Sequence, residues 1–232
     1  MAVTRIERFD PVERALHWVN AALLLTLLFT GLAMYWSPMS QLIGRRRLME
    51  DIHLISGLSL PVPFVLVLVG SWRRAFVRDA RRLGRFLDDD WRWLHRRDRR
   101  SGALRLGKFN AGQKINAILV AGVLPVMLAT GSIMQWNAKF SDTWRTGATF
   151  VHDWGFLILL VVVIGHIGKA LGEPDQLRAM LRGWVPASWA KVHRPRWYDE
   201  VVEAPAGPPS PSGASPGPAA ADPADEAVVE AG

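Results

Sequence analysis

The chain has 232 residues, half of them hydrophobic, with 28 Lys and Arg against 21 Asp and Glu, a formal net charge of +7 and a mean hydropathy of +0.10. With no cysteine, it excludes disulfides, cysteine-ligated iron–sulfur clusters, thiolate zinc sites, cysteine nucleophiles and covalent haem attachment through C-x-x-C-H. The basic balance does not point to nucleic acid, because the positive residues cluster beside long apolar stretches, the pattern of a polytopic membrane protein.

A bilayer core of about 30 Å needs about 20 apolar residues as helix. Four stretches qualify, at about 15–36, 52–72, 115–136 and 148–170, the last with Asp153 and Lys169 near its ends. Arg5, Arg8 and Arg14 precede the first, which is longer than the apolar part of a secretory signal and has no A-x-A-like site after it. Trp18, Trp36, Trp72, Trp136 and Trp154 lie near span ends, where an amphipathic ring suits the interface. Pro61, Pro63 and Pro125 lie inside spans and are expected to bend them. The expected fold is all-α, an integral membrane four-helix bundle over residues 1–201.

Lys and Arg set the orientation. The N-terminal segment, the 73–114 connection and the segment from Lys169 onward hold 23 of them, against five in the other two connections. Both termini and the 73–114 connection are therefore expected in the cytoplasm, where the arginines also meet anionic lipid. Leu83–His95 and residues 175–190 read as amphipathic pieces on the membrane or a partner. Residues 202–232 are rich in Pro, Ala, Gly, Ser and acid and read as a disordered tail. No repeat with a clear period stands out.

Histidines inside membranes are rare and face the bundle interior. His17, His53, His152 and His166 sit at span ends, His17 and His166 on the expected cytoplasmic side, His53 and His152 on the outer side. His152 and His166 are 14 residues apart, about 21 Å along a helix and within about 40° of one face. Each can therefore meet a second histidine at its own depth, His53 with His152 and His17 with His166. Two histidine pairs in a bundle core suit two b-type haems, whose iron accepts imidazole. Zinc would want three or four ligands at one place. Gly57 and Gly155, near His53 and His152, would let a flat macrocycle approach, and Arg8 or Arg14 would face propionates. His95 and His193 lie in polar segments and read as surface residues.

Gly107-Lys108-Phe109-Asn110-Ala111-Gly112-Gln113-Lys114 leads into the third span, with Asn110 placed to cap it. With Arg8-Phe9-Asp10-Pro11, Glu13-Arg14, His17-Trp18, His53, His152, His166 and the stretch from Trp189-Ala190 to Trp197-Tyr198, this motif resembles the gamma subunit of respiratory formate dehydrogenase, a membrane-anchoring cytochrome b. The resemblance runs from about Arg8 to Glu200, and the Gly107–Lys114 motif is its most discriminating part.

The resemblance implies two haems b and reduction of menaquinone or another quinone in a bacterial inner membrane. It also implies two partners, a molybdenum- or tungsten-containing alpha subunit that oxidises formate and an iron–sulfur beta subunit that delivers the electrons. By position, His53 and His152 would hold the outer haem and His17 and His166 the inner one. Asn110, Gly112 and Gln113 would line a quinone site beside His166. The sequence departs from the family at Lys191-Val192-His193-Arg194, where two adjacent histidines are expected, and in the tail. The cytochrome b of a hydrogenase or related oxidoreductase, or a stand-alone di-haem quinone oxidoreductase, would use the same histidines, whereas a non-redox anchor would need none.

Overall fold

The computed structural model describes residues 4–95 and 104–203; of the expected tail, 202–232, Val202 and Glu203 instead close a helical turn, and residues 204–232 lie outside the described residues. The chain begins with a short strand, β1 (Arg5–Glu7), followed by the long helix α1 (Pro11–Tyr35). After α2 (Ser37–Ile43) the chain returns as α3 (Arg46–Ser59) and α4 (Val62–Val69). Two short helices follow, α5 (Arg73–Gly84) and α6 (Asp88–Leu94). The second half repeats the up-and-back course with α7 (Ala111–Gln135) and α8 (Asp142–Leu171). It ends in α9 (Pro174–Arg182), β2 (Trp184–Pro186), α10 (Ala187–His193), α11 (Pro195–Tyr198) and a π-helical turn, Asp199–Glu203.

Among the described residues, four segments are long and apolar enough to cross a membrane: α1, α3 with α4, α7 and α8. Their large side chains, among them Phe29, Val65, Val126, Leu157 and Val161, are exposed on the protein surface, the arrangement a lipid solvent favours. All five interfacial tryptophans are exposed as well. The helices start four to six residues before the predicted spans, because caps rather than apolar composition set helix ends. The second span ends early, at Val69, before Gly70. It is also interrupted at Leu60–Pro61, where Pro61 and Pro63 each lack the N–H that a helix interior requires. By contrast, α7 runs unbroken through Pro125.

The helices form two hairpins, α1 against α3 and α7 against α8. One end carries a cap that the sequence reading did not foresee. There β1 pairs antiparallel with β2, Ile6 opposite Val185, a two-stranded addition to an otherwise helical fold. Gly183 makes the turn: its φ of +89° is a left-handed conformation, and a Cβ there would meet the Phe9 carbonyl at 2.9 Å. That turn lets the Gly183 carbonyl accept from the Arg8 and Phe9 amides at 2.7 and 3.0 Å. Ile6, Phe9, Ala179, Val185, Ala187, Ala190 and Trp197 form the cap's apolar core. The expected piece Leu83–His95 is corrected to two helices, since 85–87 is non-helical, and 175–190 is interrupted by β2.

Candidate functional site

The structure brings the four singled-out histidines together in the expected pairs. His53 on α3 faces His152 on α8 with ring centroids 6.2 Å apart. His17 on α1 faces His166 on α8, again at 6.2 Å. His17, His53 and His152 are half-buried and His166 is exposed. Two imidazoles binding one metal from opposite sides, with metal–nitrogen bonds of about 2.0 Å, have centroids about 6 Å apart. The residues therefore fit bis-histidine ligation at both depths. Among the described residues no group of three His, Cys, Asp or Glu side chains converges on one point.

The pair far from the cap is held by two threonines that the sequence reading did not single out. Thr30 Oγ1 lies 2.9 Å from His53 Nδ1, and Thr130 Oγ1 lies 3.0 Å from His152 Nδ1. Each hydroxyl donates to a carbonyl one turn back, Thr30 to Thr26 and Thr130 to Val126, both at 2.7 Å. Gly31 and Gly131 make room for the rings. A Cβ on Gly131 would stand 3.2 Å from His152 Cε1, and one on Gly31 would stand 3.6 Å from His53 Cε1. Gly57 and Gly155 do something other than expected: they accept Leu27 and Met127 of the neighbouring helix in their own hairpin. Gly155 is packed so closely that any side chain would displace the Met127 sulfur.

The Gly107–Lys114 segment is tied into the cap. Asn110 Oδ1 accepts from the Gln113 amide at 2.9 Å, and Gln113 Oε1 accepts from the Asn110 amide at 3.0 Å, a reciprocal cap at the start of α7. Gln113 Nε2 donates to Gln176 Oε1 at 2.5 Å. Gly112 lies against Trp93, where a Cβ would stand 3.1 Å from the indole. Lys108 Nζ donates to Glu13 Oε1 at 2.9 Å and to Asp79. Lys114 Nζ donates to Asp90 Oδ2 at 2.6 Å and the Arg85 carbonyl at 2.7 Å. Burial acts to raise the Asp79 carboxyl. It is outweighed by a hydrogen-bonding contact with Glu13 and by Lys108 and Arg82, which hold Asp79 below the usual aspartate range.

Neither Arg8 nor Arg14 is free of the cap. Arg8 Nη2 donates to the Lys108 carbonyl at 2.9 Å, and Arg14 Nη1 to the Leu181 carbonyl at 2.8 Å. Arg8 and Arg194 are both buried and both lie over the Trp189 ring. Burial, with the like charge of Arg194, pushes the Arg8 guanidinium down to about 9, and burial pushes Arg194 down to about 10. His95 and His193 are exposed, as expected.

The two helix starts expose a repeat that the sequence reading did not find, a correspondence 100 residues apart. Asp10 and Glu13 form the same reciprocal cap on α1 that Asn110 and Gln113 form on α7. Arg8-Phe9-Asp10 matches Lys108-Phe109-Asn110, and Glu13-Arg14 matches Gln113-Lys114. Thr30-Gly31 matches Thr130-Gly131, and Trp36 matches Trp136. Phe9 and Phe109 pack on each other, with ring centroids 6.2 Å apart. Each hairpin then supplies one of His53 and His152, on its returning helix.

A membrane-spanning bundle of two hairpins, with facing histidine pairs at two depths of one helix, has the architecture of a class: multi-pass membrane cytochromes b. The model of the family described as prokaryotic cytochrome b561 matches residues 8–183, and the chain belongs to that family, which makes it a haem b protein of the membrane. Among its relatives is the formate dehydrogenase cytochrome b556(fdo) subunit of Escherichia coli (strain K12), 26% identical over 208 residues, 84% of this chain and 93% of the relative. The formate dehydrogenase cytochrome b556 subunit of Haemophilus influenzae is 26% identical over 211 residues, 86% of this chain and 84% of the relative. The nitrate-inducible cytochrome b556(Fdn) subunit of Escherichia coli (strain K12) is 24% identical over 211 residues, covering 86% and 93%. The resemblance read from the sequence is thus borne out at the level of whole chains.

Proposed function

We propose that this chain is the cytochrome b subunit of a membrane-bound formate dehydrogenase, carrying electrons from an iron–sulfur partner through two haems b to menaquinone or another quinone. The observation that carries the reading is the pair of 6.2 Å histidine couples, His53 with His152 and His17 with His166, at opposite ends of α8. The relatives, all named as formate dehydrogenase cytochrome subunits, supply the complex. Its formate-oxidising, molybdenum- or tungsten-containing subunit lies on the outer side. The bundle sits in the bacterial inner membrane with the cap and both termini in the cytoplasm, consistent with the Lys and Arg count.

Haem bound at each pair supplies a one-electron couple. His53 and His152 hold the outer haem, near the cleft of about 540 Å³ lined by Arg46, Arg47, Glu50, Asp51, Leu54 and Gln135. That cleft is where the electron-delivering partner reaches the bundle. His17 and His166 hold the inner haem, beside the cap. Quinone binds there, against Asn110 and the turn around Gly112 and Gln113. Gln113 spends its side chain on Asn110 and Gln176, whereas Asn110 Nδ2 has no hydrogen-bond partner among the described residues. Asn110 is therefore the donor to a quinone carbonyl, and Gln113 fixes its orientation. Electrons arriving outside and protons taken up inside move charge across the membrane, at about 2.3 kcal/mol per charge per 100 mV.

The test uses anaerobic membranes containing the chain and its natural partners. Formate is expected to reduce about two haems b per chain, with Asn110→Ala slowing reoxidation by quinone but leaving haem content intact. Reduction by hydrogen and not formate would assign the chain to a hydrogenase. No haem in the purified chain would overturn every redox reading.

A further inference from the structure

We propose that Thr30 and Thr130 are positioning residues for the outer haem: they fix the tautomer of His53 and His152 and thereby set that haem's potential apart from the inner one. This rests on the bis-histidine reading above. A threonine hydroxyl has a single hydrogen. In both residues that hydrogen is committed to the carbonyl one turn back, Thr26 or Val126, at 2.7 Å. Toward the histidine the oxygen can only accept, so Nδ1 of each ring carries the proton. Nε2 of both rings is then left as a bare lone pair, the form a metal needs.

The device is built twice. Thr30-Gly31 and Thr130-Gly131 occupy matching positions in the two hairpins, and each hydroxyl meets a histidine 23 or 22 residues further on. The glycine beside each threonine lets the ring lie against the helix. The other pair lacks the device: neither ring of His17 nor of His166 has a hydrogen-bond partner among the described residues. At the positions matching His17 and His166 in the opposite hairpins stand Ala117 and Val67, so only the outer site is shared evenly between the two halves.

An acceptor on Nδ1–H raises the basicity of Nε2 and favours the ferric state. Replacing threonine by valine keeps the shape and removes the acceptor. Thr30→Val and Thr130→Val are each expected to shift the midpoint of one haem in the positive direction. The expected size is up to about tenfold in the oxidised-to-reduced ratio at fixed potential, ~59 mV for a one-electron couple. Both variants should act on the same haem and leave the other unmoved, and Thr→Ser should restore the wild-type value.

The measurement is a redox titration of the purified complex by low-temperature absorption, with haem counted per chain. Loss of one haem in the valine variant but not the serine variant also supports the proposal, since the hydroxyl is then needed to orient the ring. Full haem with unchanged potentials overturns it. So does loss of haem in valine and serine variants alike, which would assign the role to the threonine methyl. If the two valine variants move different haems, the pairing itself is wrong. Absence of haem from the wild-type protein defeats the haem reading rather than this one.

Discussion

Lys108 offers a quantitative test of how the cap is held to the bundle. Its ammonium is bonded to Glu13 on α1 and Asp79 on α5, with side chains only 6%, 21% and 9% exposed. Two carboxyl groups thus share one buried cation, and Arg82 supports Asp79 from the solvent side at 3.2 Å; burial, with a hydrogen bond to Asp79, pushes Glu13 up to about 7, so near neutral pH it is partly protonated. Lys108→Met keeps the aliphatic stem and leaves the two carboxyl groups facing each other without their cation. Breaking a buried pair by removing one partner costs about 3–5 kcal/mol. At about 2–4 °C per kcal/mol for a chain of this size, the melting temperature in detergent should fall by roughly 6–20 °C.

The loss should depend on pH with a definite sign. In the wild type the Asp79 carboxyl is held low, so its contribution is present above the ordinary aspartate pKa of about 3.9 and is lost as pH falls through the lowered value. In the variant the cation is gone, so Glu13, already held up to about 7, keeps its proton to higher pH and shares it with Asp79. The gap between the two proteins should therefore widen as pH rises through about 7 and narrow as the medium is acidified. Thermal unfolding followed by tryptophan fluorescence over pH 4–8 reads both quantities. A loss under about 1 kcal/mol, the range of exposed pairs, would show that the triad behaves as a surface pair and refute the reasoning. A gap that does not change with pH would refute it too.

Other outcomes follow from the same geometry. His53→Ala and His152→Ala should remove the same haem component from the spectrum, and His17→Ala and His166→Ala the other; four variants with four different spectra would break the pairing. Gly131→Ala should disturb the His152 site more than Gly31→Ala disturbs His53, because the added carbon stands at 3.2 rather than 3.6 Å from the ring, and haem retention at low haem supply measures it. Trp197→Ala, at 2% exposure in the cap core, should cost about 3–5 kcal/mol in cap stability while leaving both haem spectra in place.

The bundle was legible because lipid imposes a crude and lengthy signal. About twenty uncharged residues are hard to mistake, and histidines inside such runs are rare enough to be paired by depth alone. The cap was not legible, since its strands are three residues each and its core is assembled from segments about 180 residues apart. The lysines of the Gly107–Lys114 motif were read as charge that sets orientation, whereas Lys108 and Lys114 are buried and bind named carboxylates. Composition counts a lysine the same way in both settings. Thr30 and Thr130 escaped because a threonine in an apolar helix usually bonds its own backbone, which these also do. The signal that would have found them is their recurrence as Thr-Gly, 100 residues apart, each followed by a histidine at nearly the same interval.

The division into hairpins carries one more consequence. Packing within each hairpin is extensive, but between the spanning helices of different hairpins it is slight, mostly α1 against α8. Each histidine pair draws one ring from each hairpin, His17 and His53 from the first and His152 and His166 from the second. With haem held at the two pairs as proposed above, iron ligation would be the principal link between the hairpins within the membrane, while the cap joins them at one end only. A ligand that binds only the assembled state at a thousand times its Kd adds about 4 kcal/mol. Haem-depleted protein should accordingly keep the cap folded and loosen the hairpins, most at the end far from the cap. Hydrogen exchange should show cap amides near Val185 and Ala190 still protected, with the ends of α3 and α8 around His53 and His152 exchanging faster. The double variant His17→Ala, His53→Ala should reproduce this pattern even when haem is plentiful. Equal protection of α3 and α8 with and without haem would mean that helix packing alone holds the hairpins together.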